Sequence, residues 1–165
     1  MNLNWTIEGT GAPLLMLHGL TGIGQDWQAV FGDTETGFQH LMPDLPGHGL
    51  SPALDPFSFR GTAQLILSDL DELGMPAVAA MGMSGGGQVL LHLATTEPDR
   101  IGKMVLISTA PYFPRQAREI MKLAGPDQQS DESWAIVRAK HKGGDEQIRK
   151  LFQTAYDLHA GYDDI

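Results

Sequence analysis

Cysteine is missing from this 165-residue sequence, which excludes disulfides, thiolate zinc sites and a cysteine nucleophile. Basic residues are few, because 11 lysines and arginines stand against 20 aspartates and glutamates, giving a formal net charge of −9. The basic residues form no run of the kind that binds a phosphate backbone or an anionic membrane surface. We therefore expect no nucleic-acid partner and no membrane partner.

Long apolar runs are also missing. Nowhere do 18 apolar residues follow one another, and Met1–Gly9 has neither the basic start nor the apolar region of a signal peptide. The expected localisation is therefore cytoplasmic. With 42% hydrophobic and 19% charged residues, the composition is typical of a packed globular chain and excludes a mainly disordered one.

Up to residue 111, short apolar runs alternate with longer amphipathic stretches. This alternation predicts the α/β class, with a mostly parallel sheet and helices on both of its faces. The expected strands are Leu3–Ile7, Pro13–Leu17, Phe38–Met42, Ala77–Met81 and Lys103–Ser108, and the expected helices between them run from a cap at Ser58 to Leu73 and over Gly85–Glu97.

From residue 112 onward no further strand pattern occurs. Three helical patterns follow instead, over Arg115–Leu123, Ser133–His141 and Glu146–His159. We therefore predict an α/β core in residues 1–111 and an all-helical region in residues 112–165, which we call the helical segment.

The sharpest motif is Gly82-Met83-Ser84-Gly85-Gly86, which we call the elbow. It is G-x-S-x-G between a predicted strand and a predicted helix, the context of a strained nucleophile elbow. Gly82 and Gly86 are the small residues that let strand and helix approach each other. Ser84 would then project at the carboxyl end of the sheet, with the Gly85 N–H pointing toward an oxyanion. Gly-Ser-Gly stretches also occur in ordinary loops, but the flanking strand and helix favour the elbow.

A second motif, His18-Gly19-Leu20-Thr21-Gly22, follows the predicted strand Pro13–Leu17, and we call it the HG loop. A loop at this place supplies the other oxyanion N–H in esterase and lipase geometry, and we assign that N–H to Leu20. His18 lies directly after the strand. Its position favours a role in bracing the loop, together with Gly19, over the role of a catalytic base.

A third motif, residues 44–51 with the sequence DLPGHGLS, follows the strand Phe38–Met42, and we call it the Asp44 loop. Asp44 can bond to nearby backbone, and Gly47 and Gly49 permit positive φ, so a tight structural loop is favoured. A metal site built on Asp44 and His48 would need further ligands, and the sequence has no HExxH or comparable cluster. We expect no metal.

Taken in this order, the three motifs resemble the α/β-hydrolase superfamily, and the resemblance covers Leu3 to about Pro111. It implies hydrolysis of a small acyl substrate (an ester, lactone or thioester) or of a carbon–carbon bond, without a cofactor. It also implies that the helical segment is the cap which such enzymes insert after their sixth strand. A serine at the elbow differs from the dehalogenase and epoxide-hydrolase branches, which have aspartate there.

The sequence departs from the family pattern beyond the elbow. The family's acid and base follow the serine, on loops after later strands, whereas this sequence reaches Ile165 without such a strand. The histidines after Ser84 fall in predicted helices. His92 lies about 12 Å from Ser84 along the axis of the predicted helix Gly85–Glu97, too far to act as its base. The candidates that stay unassigned are His92, His141, His159, Asp157, Asp163 and Asp164. No acid or base is assigned.

Three accounts of this gap stay open. The chain can be the first part of a longer hydrolase with its last strands missing, and would then be inactive or weakly active by itself. It can be a ligand-binding relative without catalysis, or a half that needs another chain. A nucleotide-binding domain is excluded because neither G-x-G-x-x-G nor G-x-x-x-x-G-K occurs.

The last predicted strand, Lys103–Ser108, is flat, apolar and free of proline over residues 104–107. An uncovered strand of this kind pairs readily with a similar edge. We therefore expect self-association through this edge or through exchange of the helical segment.

Overall fold

The computed structural model describes residues 1–32 and 36–158. Within these ranges the strands are β1 (Trp5–Glu8), β2 (Ala12–Leu17), β3 (Phe38–Pro43), β4 (Val78–Met83) and β5 (Ile101–Ile107). They form one sheet in the order β1-β3-β2-β4-β5, in which β1 is antiparallel to β3 and all other pairs are parallel. The predicted α/β class with a mostly parallel sheet is confirmed.

The first strand begins two residues later than predicted. The Leu3 N–H donates to the Asp69 carboxylate at 2.9 Å instead of joining the sheet, and Asn2 and the Trp5 indole donate to the same carboxylate. Asp69 thus ties the start of the chain to a helix on the neighbouring face of the sheet.

The helices are α1 (Gln28–Phe31), α2 (Phe59–Glu72), α3 (Gly85–Thr96), α4 (Arg115–Met121), α5 (Asp131–Lys140) and α6 (Gly144–Asp157). The Ser58 hydroxyl caps α2 by accepting from the Gly61 N–H at 3.0 Å, as its residue type predicts. The short helix α1 and the 3₁₀ turn Gly24–Trp27 before it were not predicted. None of these helices is long and apolar enough to cross a bilayer.

Alternating residues of the strands cover the two faces of the sheet. Leu15 and Leu17 face the main core, where they pack with residues of α2 and α3 such as Ile66 and Leu90. Met16, between them in the sequence, packs on the opposite face with Trp27 and Met42. The period of two in β2 therefore buries both of its faces, as a parallel strand requires.

The helical segment has a small core of its own, formed by Val137, Ile148, Leu151 and Phe152. Its described part, residues 112–158, contains helices and no strand. The predicted helix end at His159, together with Asp163 and Asp164, lies outside the described residues.

Polar contacts join the helical segment to the sheet region. Gln147 Nε2 donates to the Gly47 and Gly49 carbonyls at 2.9 and 3.1 Å, and Lys140 pairs with Asp26 at 2.8 Å. The segment therefore rests on the Asp44 loop and on the turn before α1.

Candidate active site

Ser84 lies between the end of β4 and the start of α3, with its side chain exposed. Its φ is 51° and its ψ is −116°, a conformation that side-chain-bearing residues rarely adopt. Two backbone hydrogen bonds hold it, because the Ser84 N–H donates to the Ile107 carbonyl at 2.9 Å and the Ser84 carbonyl accepts from Gln88 N–H at 3.1 Å. The serine hydroxyl is thereby presented at the carboxyl end of the sheet.

The two elbow glycines lie where the backbones nearly touch. A Cβ on Gly82 would come within 2.8 Å of the Gly86 carbonyl group, and a Cβ on Gly86 would overlap the carbonyl oxygens of Leu17 and His18. Strand β4, strand β2 and helix α3 therefore meet at a distance that only glycine allows.

The HG loop packs directly on the elbow. A Cβ on Gly19 would lie 3.4 Å from the Ser84 Cβ, and a Cβ on Gly85 would lie 3.5 Å from the Leu20 backbone nitrogen. The Leu20 N–H is thus a neighbour of Gly85, the first residue of α3, where the helix dipole is positive. The two residues assigned to the oxyanion hole, Leu20 and Gly85, therefore lie next to each other, and Gly85 directly follows Ser84.

His18 uses both of its ring nitrogens inside the protein. Nε2 accepts from the Leu45 N–H at 2.9 Å, so the proton is on Nδ1, which donates to the Gly19 carbonyl at 2.7 Å. Burial lowers the pKa of His18 to about 4, so the ring is neutral at neutral pH. It connects the HG loop to the Asp44 loop.

Asp44 organises the loop that bears its name. Its carboxylate accepts from the Gly24 and Leu50 N–H groups at 2.9 and 3.0 Å and from the Asn4 side-chain amide at 2.9 Å. Gly49, at φ 50°, lies against this carboxylate with no room for a Cβ, and Gly47 has φ 78°. In the part of the chain that the structure describes, no group of three or more histidine, aspartate or glutamate residues is placed to hold a metal ion.

His48 and His141 lie in a row with His18. The ring centroids of His18 and His48 are 5.0 Å apart, and those of His48 and His141 are 5.8 Å apart. Burial lowers the pKa of His48 to about 3 and also lowers the pKa of His141. The row crosses the boundary between the sheet region and the helical segment.

Residues beyond the motif also shape the elbow. A Cβ on Gly87 would overlap the Thr109 hydroxyl, and Gln88 Nε2 donates to the Ala110 carbonyl at 2.5 Å. Gln88 is buried in α3, with the buried His92 four residues after it on the same face. A polar residue at that place was the one sequence signal for this contact.

The Ser84 hydroxyl has no catalytic partner among the residues that the structure describes. Among residues 1–32 and 36–158, no histidine and no carboxylate hydrogen-bonds to the Ser84 hydroxyl. His92 is buried within α3, and His141 follows the last residue of α5 and bonds through Nδ1 to the Val137 carbonyl at 2.9 Å. His159 lies outside the described residues.

Residues 12–134 match the family described as alpha/beta hydrolase fold. The chain is 33% identical over 117 residues to a pimeloyl-[acyl-carrier protein] methyl ester esterase of Vibrio vulnificus, covering 71% of this chain and 44% of the relative. It is 36% identical over 140 residues to the protein of the same name from Chromobacterium violaceum, covering 85% of this chain and 48% of the relative. The chain therefore spans about half the length of these curated relatives.

Solved structures agree on the fold. An esterase from a marine microorganism superposes with a TM-score of 0.69 at 22% identity, covering 93% of this chain and 63% of that one. A hydrolase from Pseudomonas aeruginosa gives 0.71 at 20% identity, covering 96% and 70%. With the family match extending over most of the sequence, the chain belongs to the α/β-hydrolase family.

Proposed function

We propose that this chain carries the nucleophile and the oxyanion hole of a serine hydrolase, which acts on a small ester, lactone, thioester or related acyl substrate through an acyl-enzyme at Ser84. One observation carries the proposal. Ser84 is exposed in a strained turn between β4 and α3, Gly85 follows it, and the Leu20 nitrogen lies beside Gly85.

The reaction follows from this geometry. Ser84 Oγ bonds to the acyl carbon and gives up its proton to a base, while the carbonyl oxygen becomes an oxyanion held by the N–H groups of Leu20 and Gly85. Collapse breaks the bond to the leaving group, which departs with a proton, and water then hydrolyses the acyl-enzyme. Loss of one oxyanion donor typically raises the barrier by about 2.7 to 4 kcal/mol.

Among the proposed substrates, the names of the curated relatives favour an ester over a lactone or a thioester. Their name specifies a methyl ester, so a carboxylic ester is the first substrate to test. The solved structures, at 20 to 22% identity, add support for the fold alone.

We expect weak activity from the 165 residues by themselves. In the described ranges no base is bonded to the Ser84 hydroxyl, and removing the base of a serine protease lowers kcat on the order of 10⁶-fold. The same observation favours a second candidate, a ligand-binding protein or a half that needs another chain, in which Ser84 never forms an acyl-enzyme.

Hydrolysis of 4-nitrophenyl butyrate tests the proposal, with Ser84→Ala compared to Ser108→Ala. Ser108 is a matched control because it is exposed at the end of the neighbouring strand and also has φ 51°. We expect Ser84→Ala to remove the protein-dependent rate and Ser108→Ala to retain it. Equal rates above background in wild type and Ser84→Ala would overturn the assignment of Ser84. A wild type with no rate above background would overturn the hydrolase proposal in favour of the ligand-binding candidate.

A further inference from the structure

The HG loop contains a strained turn next to the oxyanion hole. The Gly22 N–H donates to the Gly19 carbonyl at 3.0 Å, which closes a four-residue turn with Leu20 and Thr21 in its centre. Thr21 has φ 66° in the third position, where a type II turn normally has glycine. A β-branched residue is strained in this region, so contacts from outside the turn have to hold it.

His48 supplies such a contact from 27 residues away. The Thr21 N–H donates to His48 Nε2 at 3.1 Å. This N–H belongs to the central peptide of the turn, the peptide whose orientation distinguishes type I from type II. An acceptor fixed on one side therefore favours the observed orientation over the flipped one.

The His48 ring is held as a fixed acceptor. Its Nδ1 donates to the Pro46 carbonyl at 3.0 Å, which leaves the lone pair on Nε2. The ring is 1% exposed and lies between the rings of His18 and His141. Because burial lowers the pKa of His48 to about 3, the acceptor persists at ordinary pH.

We infer that His48 is a positioning residue for the oxyanion hole: by binding the Thr21 N–H, it keeps the HG loop in the turn that holds the Leu20 N–H beside Gly85. The inference rests on the proposed function, because Leu20 is taken as an oxyanion donor. With 1% of its surface exposed, His48 is not given any contact with substrate in this inference. It acts through the backbone of Thr21 on the adjoining residue.

Two substitutions of His48 distinguish the effect of losing its hydrogen-bond acceptor, Nε2, from the effect of losing its aromatic ring. In His48→Gln the side-chain oxygen lies as many bonds from Cα as Nε2, so it can accept from the Thr21 N–H. In His48→Asn the amide nitrogen corresponds to Nδ1, so the bond to Pro46 is kept and the acceptor is lost. Both variants lose the aromatic ring, and the thermal midpoint of each shows how much stability that loss removes.

The first readout is the second-order rate constant for phosphonylation of Ser84 by an alkyl fluorophosphonate, whose phosphoryl oxygen occupies the oxyanion hole. The second is amide hydrogen exchange at Leu20 and Thr21, measured by NMR, which needs no activity. We expect His48→Asn to react about 10- to 100-fold more slowly, because one donor of such a hole is worth 10²- to 10³-fold. We expect His48→Gln to stay within about threefold of wild type, and Thr21 to lose exchange protection in His48→Asn alone.

Each other outcome has one meaning. A wild-type phosphonylation rate and unchanged Thr21 exchange in His48→Asn would overturn the inference. Equal slowing and equal loss of Thr21 protection in His48→Asn and His48→Gln would also overturn it, because the ring itself, and not its acceptor nitrogen, would then be what matters. A third outcome separates the inference from the proposed function. If wild-type Ser84 is not phosphonylated, but Thr21 loses exchange protection in His48→Asn and keeps it in His48→Gln, the proposed function fails while the role of His48 in fixing the turn is supported.

Discussion

The sheet region and the helical segment are stabilised in different ways. The sheet region buries large apolar residues on both faces of its central strands, and the elbow is fixed where β2, β4 and α3 touch. The helical segment has a core of four buried residues, and its first helix, α4, contributes none of them. Ser84 is therefore held by the part of the molecule with the larger core. Regions with few buried apolar contacts open first, so we expect the helical segment to unfold locally while the elbow stays intact.

The largest expected effect comes from destabilising the two regions separately, with one core substitution in each. Leu90 and Ile148 are both fully buried, the first in the main core and the second in the helical segment. Replacing either by alanine leaves a cavity that costs about 2 to 5 kcal/mol. We expect Leu90→Ala to lower the free energy of unfolding of the whole chain, measured in urea. Ile148→Ala should speed amide exchange in α5 and α6 and leave β4 unchanged. Equal acceleration in β4 for both variants would mean that the two regions unfold as one unit.

A second prediction concerns the histidines at the junction of the two regions. Burial lowers the pKa of His18 to about 4 and that of His48 to about 3 in the folded protein, against 6.5 for an ordinary histidine. As pH falls from 6.5 toward 4, the unfolded chain takes up protons that the folded chain does not, so stability is lost. Each histidine should lower the free energy of unfolding by about 1.4 kcal/mol per pH unit.

Urea unfolding at pH 6.5, 5.5 and 4.5 measures this slope in wild type and in His48→Gln. Comparing the two proteins cancels the contribution of the carboxylates that they share. The variant should lose stability more slowly by about 1.4 kcal/mol per pH unit, because one of the buried histidines is gone. Identical slopes would show that His48 is not buried in its neutral form.

The elbow and its loops could be predicted because their chemistry is local. Glycines at 82 and 86 indicate a close approach of backbones, and the structure shows such an approach at both. Strand β1 begins two residues later than its sequence pattern predicts, because the N–H groups of Asn2 and Leu3 donate to Asp69, 67 and 66 residues away. Nothing in the neighbouring sequence indicates such a partner.

The same limit applies to His48. Its sequence context, between two turn glycines, predicts a structural loop and no particular partner for the ring. Its bond to Thr21 joins two loops 27 residues apart and becomes visible only when β2 and β3 are paired. Helix α1 was missed for a different reason, because it is four residues long and has too few turns for a helical period to be recognised.

The smallest expected effect concerns the edge of the sheet at β5. In the described part of the chain β5 pairs with β4 alone, and Val105 is 53% exposed. An uncovered apolar edge can pair with that of a second copy. We propose that the chain self-associates there at tens of micromolar, more strongly at high salt, because salt screens the repulsion of a −9 charge.

Sedimentation at low and high salt measures the association. Val105→Lys should keep the chain monomeric, whereas Val30→Lys, at an exposed apolar residue of α1 (66% exposed), should associate like wild type. A wild-type monomer in both salts would mean that the edge is covered.

Peptide mapping after reaction with an alkyl fluorophosphonate tests directly whether the elbow makes Ser84 a nucleophile. We expect one phosphonyl adduct per chain, on Ser84, formed slowly and without any adduct on the exposed Ser108. A chain with no adduct, or with equal modification of Ser84 and Ser108, would contradict the claim that the elbow makes Ser84 a nucleophile.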